Sequence, residues 1–454
     1  MKTTNKSFHI IKDPVHGSMQ FTDEENNWIK PFIDSPNFQR LRHIKQLGLG
    51  DLVFPGAVHT RFNHALGCCY VAGQIATKLN LTARERRVVM IAGLLHDIGH
   101  GPFSHAFEGI FYQSAIKHED WTPLFLKEYL STKFVNEFNK RNKSGPITVE
   151  ELNLIKNLIM HKEQEKKLLA DIVSSQLDAD RLDYLRRDSH FCGVTYGVYD
   201  FQWLLHCMAI VEDKTKTLRL GITEKGIGVV EQYLMARRLM MHNVYHNGKK
   251  YAAEFLLTSF LKYLAKSVWE EGLFAEIKEK NLAKFLAAVT QFNHQAKTTK
   301  NINSLKKSFL MSNYNLYKRL CDYDVFSMIR YFAGLTLKHP VVEIAERLYS
   351  RRLPKILHID AEHLSQTQEL IASLKKEKKL KPWQVSLVQL PHQSYVGSKD
   401  PILVINKKGR VKNLHDYSLV ISGLSDKEES SCLVYLDKEA LSLNAVQTFY
   451  EKLS

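Results

Sequence analysis

At 454 residues, with 44% hydrophobic and 24% charged side chains, the chain has the composition of a folded protein, which excludes global disorder. The length exceeds what one hydrophobic core organises, so a main body and a smaller lobe are expected. A net charge of +15 points to anionic partners (nucleotides, nucleic acid or acidic protein surfaces) without choosing among them, and runs such as Lys375-Lys376-Glu377-Lys378-Lys379 read as solvated faces.

Met1–Lys6 lacks the apolar core of a signal peptide, and no run reaches the roughly 18 apolar residues of a spanning helix, so a cytoplasmic protein without membrane contact is expected. The six cysteines, Cys68, Cys69, Cys192, Cys207, Cys321 and Cys432, lack CxxC spacing and read as reduced and structural.

In chain order, Ile11–Gly17 reads as a strand or turn leading into helices. Thr82-Ala83-Arg84-Glu85 has the spacing of a capping box, and Val88, Ile91 and Leu95 then recur as one buried helix face, with a stop at Gly99. Thr148–Glu151 repeats the signal ahead of Leu152, Ile155 and Ile159. Long apolar-periodic segments follow over Tyr233–Leu264 and Val325–Tyr349, whereas Ala296–Ser308, rich in Lys, Thr, Asn and Ser, reads as a surface loop. After Pro382, Val385–Val388, Ile402–Ile405 and Leu433–Tyr435 read as strands, with Asn406–Gly409 as a hairpin loop. The expected architecture is mainly α: a helical core over 1–350, with its metal site within 61–188, and a mixed α+β carboxy-terminal lobe over 351–454 that makes oligomer or regulatory contacts. No internal repeat is evident.

The sharpest chemical signal is His64, the pair His96-Asp97, and Asp180. Neighbours on a helix point about 100° apart, so His96 and Asp97 can share an ion only where the helix ends, and Gly99 and Gly101-Pro102 supply that ending. Imidazole plus carboxylate suits Fe, Mn, Mg, Zn, Ni or Co and leaves positions for water and phosphate oxygens. Around the pair lie His100 and His105, then His118-Glu119. Imidazoles donate to phosphate and exchange protons near neutral pH, which suits His100, His105 and His118 to phosphate binding and leaving-group protonation.

These elements together resemble the HD superfamily, and within it the deoxynucleoside triphosphate triphosphohydrolases of the dGTPase and sterile-alpha-motif/HD-domain types. The resemblance runs from Asp13-Pro14-Val15-His16-Gly17 through Phe38–Gly48, Phe54–Ala57 and His59–His64, and resumes at His96–His105 and Asp180–Asp188. It is dense over 10–120 and 176–200 and weak in the carboxy-terminal lobe, and no sterile-alpha-motif segment is expected. The chain has Glu108 where the family frequently has Asp, with a bearing on the proton relay to His105, and Arg181 where it often has Lys.

By resemblance, Gln46 and Leu47 touch the deoxyribose and leave little space for a 2′-hydroxyl, Tyr245 closes over the sugar, and Asp188 lies near the 3′-hydroxyl. Arg61, His118, Arg181 and Tyr184 hold the triphosphate. The implied reaction is attack of metal-polarised water on the α-phosphorus, with inorganic triphosphate as a product and His105 protonating the departing 5′-oxygen. A homo-tetramer or other homo-oligomer is implied too, with Asp34, Gln39 and Arg42 matching positions that read an activating GTP or dNTP. Two other readings stay open: an HD phosphodiesterase acting on another nucleotide, and a nucleotide-sensing, nucleic-acid-binding effector.

Overall fold

Helix α1, Arg61–Lys78, buries thirteen of its eighteen residues, the mark of a central core helix rather than a half-exposed one. Its first turn is closed by Asn63 Oδ1, which accepts from the Thr60 backbone N–H at 3.1 Å. Helix α2, Ala83–Leu95, packs along it and begins with the expected capping box: the Glu85 N–H donates to Thr82 Oγ1 at 3.2 Å and the Thr82 N–H to Glu85 Oε2 at 3.1 Å. It stops at Leu95, earlier than Gly99, so that His96 is its terminal cap residue. Helices α3 (His118–Tyr129), α4 (Val149–Ile159) and α5 (Ala179–Cys192) complete the frame around the site, and α4 carries the second capping box. This computed structural model describes residues 8–22, 29–143, 145–377, 380–393, 395, 397–425, 428–437, 443–444 and 446–447. Met1–Lys6 and the Lys378-Lys379 part of the basic run lie outside them.

The contact between α1 and α5 depends on Gly67. A methyl group there would collide with Asp183 Oδ1 and sit 2.5 Å from Arg187 Nη2, so the missing side chain is what lets a buried carboxylate reach α1. Arg187 in turn bridges Asp183, at 2.8 and 3.0 Å, to Asp13 at 2.8 Å.

The fold is mainly helical, as expected, with short sheets. Strands β1 (Phe8–Asp13) and β2 (Gly17–Thr22) form an antiparallel hairpin whose turn is held by Asp13 Oδ1, accepting from the Val15 and His16 N–H groups at 2.9 Å. A second hairpin, β3 (Met208–Glu212) with β4 (Leu218–Thr223), also interrupts the helices of the first 350 residues. Strands β5 (Lys355–Ile359) and β6 (Val385–Gln393) flank β9 (Glu428–Leu436). Strands β7 (Leu403–Ile405) and β8 (Val411–Asn413) extend the other sheet instead, β7 running parallel to β4. Two of that sheet's four strands therefore come from beyond residue 400.

One local expectation is corrected and two periodic segments resolve into separate helices. Ala296–Ser308 is not one loop: helices Asn281–Ala296 and Ile302–Tyr317 leave only 297–301 between them. The polar composition hid a cap, in which Asn301 Oδ1 accepts from the Ser304 N–H at 3.0 Å, and a buried face that begins with Phe309 and Leu310. Tyr233–Leu264 is broken where Asn247 caps a new helix, Gly248–Ala265. Val325–Tyr349 is broken before Pro340, whose missing N–H fits a first turn but not a helix interior.

Gly67→Ala should lower stability by about 1–3 kcal/mol through overpacking, read as a fall in the denaturation midpoint. An unchanged midpoint would contradict the close α1–α5 approach.

Candidate metal centre and phosphate pocket

The four predicted ligands come from three elements and meet. His64 projects from α1, His96 and Asp97 from the end of α2, and Asp180 from the first turn of α5, where the helix dipole favours a carboxylate. Asp180 Oδ1 lies 3.0 Å from His64 Nε2 and 3.6 Å from His96 Nε2, and the Asp97 carboxylate lies 3.8 and 3.4 Å from the same two nitrogens. His64 Nδ1 bonds Asp183 Oδ2 at 2.8 Å and His96 Nδ1 bonds the Gly93 carbonyl at 2.8 Å, so each Nε2 is turned toward the centre. His96 Nε2 is buried with no hydrogen-bond partner among the described residues, which fits a cation site.

Burial opposes ionisation of Asp180, but His64 and His96 outweigh it and hold the carboxyl well below its usual range. Cys68, one turn beyond His64 on α1, was read only as structural, yet its Sγ lies 3.5 Å from His64 Nε2 within the same cluster. Burial pushes its pKa well up, so it borders the centre as a neutral thiol.

Asp97 links the centre to a group of histidines. Buried as it is, it remains ionised because Arg61 pairs with it, helped by His96 and His100. Arg61 Nε also donates to Ser104 Oγ at 2.8 Å, which spans the loop. His100 Nε2 lies 3.3 Å from Asp97, and its ring stacks on His118 at 3.6 Å between centroids. Burial, then Arg61 and His118, depress the His100 pKa well below the ordinary histidine value, so this imidazole is neutral. His105 is largely exposed, with Nδ1 3.5 Å from Glu108 Oε1. The same oxygen lies 2.7 Å from His118 Nδ1. Burial works against Glu108 ionisation, yet the hydrogen bonds to His105 and His118 hold its pKa far below normal. Glu119 lies at the edge, exposed, 3.4 Å from His118.

Tyr184, expected at the triphosphate, joins Tyr245 and Asp188, expected at the sugar, in a second wall. Tyr184 lies 6.4 Å from the His64 ring and 5.8 Å from the Tyr245 ring, and the Tyr245 hydroxyl donates to Asp188 Oδ2 at 2.8 Å. The segment that carries Gln46 and Leu47 is tied to the start of α1, where the Gln46 N–H donates to the His59 carbonyl at 3.0 Å and the Arg61 N–H to the Ile44 carbonyl at 2.9 Å. Gln46 Oε1 is buried without a partner among the described residues. Arg181 is turned onto its own helix start, donating to Asp178 and, at 2.6 Å, to the Ser175 carbonyl.

Asp34, Gln39 and Arg42 belong to a different region. Gln39 Nε2 donates to the Ile33 carbonyl at 2.7 Å, and Arg42 Nε donates to Gln39 Oε1 at 2.7 Å with its guanidinium over the Phe62 ring at 3.6 Å. Asp34 is exposed on a cleft of about 320 Å³ that it shares with Phe134, Glu137 and Arg141. Two wider clefts of about 570 Å³, one by Tyr70 and Arg86 and one by Arg84 and Glu163, contain none of the predicted residues.

Several residues that build the site carried no assignment in the sequence reading. Asp183 was visible as the i+3 neighbour of Asp180 on one helix face. His59, whose Nε2 lies 2.7 Å from Asp188 Oδ1, and His16, whose Nε2 lies 2.6 Å from Asp183 Oδ1, stand in quoted motifs without a role. Asp322 had no local signal at all.

Residues 61–188, the span that holds all four ligands, match the HD domain family. This segment is an HD domain. The whole chain is 29% identical to the uncharacterized protein YwfO of Bacillus subtilis, across 95% of this chain and 93% of that one. It is 36% identical to the deoxynucleoside triphosphate triphosphohydrolase SAMHD1 homolog of Dictyostelium discoideum over 47% of this chain, and it spans less than half of that protein, 42%. A crystal structure of a phosphohydrolase from Bacteroides thetaiotaomicron superposes with a TM-score of 0.72 at 29% identity, covering 95% of this chain and all of that one. The HD domain and these likenesses support phosphohydrolase activity with a divalent metal. No helix among the described residues is long and apolar enough to cross a membrane.

Asp183→Asn should weaken divalent-ion affinity about 10–100-fold, because it loosens the grip on His64 without touching the ion. Calorimetric titration with Mn²⁺ checks this, and an unchanged affinity would contradict the positioning role of Asp183.

Proposed function

We propose that the protein hydrolyses deoxynucleoside triphosphates to deoxynucleoside and inorganic triphosphate, with His64, His96, Asp97 and Asp180 holding one divalent ion. The observation that carries this reading is adjacency. The ligand cluster has the histidine and Glu108 group on one side, through Asp97, and on the other a tyrosine wall ending in Asp188. This adjacency would let one site hold a metal, a proton donor and a sugar, and the likeness to the SAMHD1 homolog supports the choice of substrate.

When bound, the ion would supply Lewis-acid polarisation of the α-phosphate and of a water molecule. Arg61, Arg181, His118 and Tyr184 hold the triphosphate, with the guanidiniums exchanging their carboxylate partners for phosphate oxygens of the same planar geometry. Gln46, Leu47 and Tyr245 enclose the sugar, and Asp188 accepts from its 3′-hydroxyl. His105, exposed and backed by Glu108 at Nδ1, presents Nε2 and gives a proton to the 5′-oxygen as the nucleoside departs. Neutral His100 spaces Asp97 from His118 without adding charge, while Glu119 shapes the rim. Asp34, Gln39 and Arg42 form a separate nucleotide-reading surface in a homo-oligomer, where a carboxylate, an amide and a guanidinium match the edge of a guanine.

The test is incubation of the purified protein with Mn²⁺, Mg²⁺, Fe²⁺ or Co²⁺ and each dNTP, singly and in pairs, with products resolved chromatographically. The expected products are nucleoside and triphosphate in equal amounts, abolished by EDTA and by Asp180→Ala. His105→Ala should lower kcat about 10²–10⁴-fold. Release of monophosphate or orthophosphate, or inactivity in every mixture, would overturn the proposal. Arg42→Ala should remove activation by a second nucleotide and leave the unactivated rate in place.

A further inference from the structure

The backbone just before His105 is strained. Phe103 and Ser104 both have positive φ, 50° and 54°, and Ser104 combines this with ψ near −122°, a region that residues with side chains rarely occupy. Two consecutive residues of this kind persist only where the surroundings hold them. Part of the hold comes from Ser104 Oγ, which accepts from Arg61 Nε and donates to the Lys45 carbonyl at 3.2 Å.

The rest comes from Asp322, at the start of helix Asp322–Ala333 and far away in sequence. Its Oδ1 accepts from the Phe103 N–H at 2.7 Å and its Oδ2 from the Lys45 N–H at 2.8 Å. Asp322 is 5% exposed, and both carboxylate oxygens are spent on backbone amides of two different loops. Burial pushes its pKa up to about 6, opposed chiefly by these two hydrogen bonds. The two loops also approach closely elsewhere: a methyl group on Gly48 would lie 3.2 Å from the Phe103 carbonyl oxygen.

We propose that Asp322 is a positioning residue which clasps the Phe103-Ser104 turn to the Lys45–Leu47 segment, and so fixes His105 relative to the sugar-contacting Gln46 and Leu47. The inference rests on the reading of His105 as the proton donor. The clasp joins the two parts of the site that must keep register as the 5′-oxygen departs: the wall against the sugar and the imidazole that protonates the leaving atom. A one-ångström shift between them costs a large factor in rate with little effect on binding. Without the carboxylate, two buried amides lose their acceptors and the turn can relax toward ordinary backbone angles.

The experiment is a double-mutant cycle of Asp322→Asn and His105→Ala, assayed on a mixture of the four dNTPs with Mn²⁺, together with amide hydrogen exchange of Lys45 and Phe103. Asn keeps the shape of the side chain but turns an NH₂ toward one of the two amides. Asp322→Asn should lower kcat about 10-fold or more with KM changed less than about 3-fold. In the His105→Ala background it should add less than about 3-fold, because a group that acts through His105 has little left to do once the imidazole is gone. Exchange at Phe103 and Lys45 should accelerate while α1 and α5 stay protected. If Asp322→Asn yields too little folded protein, Asp322→Glu, which keeps both acceptors one methylene further out, enters the same cycle. Equal losses in both backgrounds, or unchanged exchange at Phe103, would overturn the clasp and leave His105 as the donor. A His105→Ala enzyme with wild-type kcat would overturn the donor reading itself.

Discussion

One buried carboxylate organises this site before any ion or substrate is considered. Asp183 is fully enclosed and is approached by His64, His16 and Arg187, the last of which also holds Asp13. Burying a carboxylate is costly unless it is paired and hydrogen-bonded, and Asp183 meets both conditions with groups from α1, α5 and the β1–β2 turn. The bond to His64 Nδ1 sets which ring nitrogen faces the ligand cluster. Three elements distant in the sequence are thereby bound to the orientation of one imidazole, and Gly67 leaves the space for it.

The histidine-rich loop uses a complementary device. Buried Arg40 has no carboxylate partner among the described residues and donates instead to the carbonyls of Ile98, His100 and Leu320 at 2.9, 2.7 and 3.2 Å. Its charge is further met by the faces of Phe125 and Tyr317. Gly99 presses onto α3, where a side chain would meet Thr122 and the His118 carbonyl. The loop is therefore held by its backbone, and the three imidazoles stand in different surroundings: His100 neutral through burial and neighbouring positive charge, His118 hydrogen-bonded to Glu108, and His105 open to solvent.

Much of this was legible in the sequence because it is local. The capping boxes at Thr82 and Thr148 depend on residues three apart, and His96-Asp97 announced a helix end that the structure puts at Leu95. What the sequence hid was long-range or masked by composition. The sheet that joins β4 to β7 pairs residues some 180 positions apart, Gly221 with Leu403, and no periodicity reports such a partner. Asp322 is an unremarkable acid at a helix start until the Lys45 and Phe103 amides arrive. The polar stretch 296–308 concealed the start of a helix because its apolar face begins only at its end.

The central proposal is that water attacks the α-phosphorus at the HD centre and that the nucleoside 5′-oxygen leaves. Hydrolysis of a dNTP in H₂¹⁸O, followed by ³¹P NMR of the phosphates and mass spectrometry of the nucleoside, tests it directly. The account predicts one ¹⁸O on a terminal phosphorus of the inorganic triphosphate, with none in the nucleoside. Label in the nucleoside 5′-hydroxyl, or in released orthophosphate or monophosphate, would contradict it.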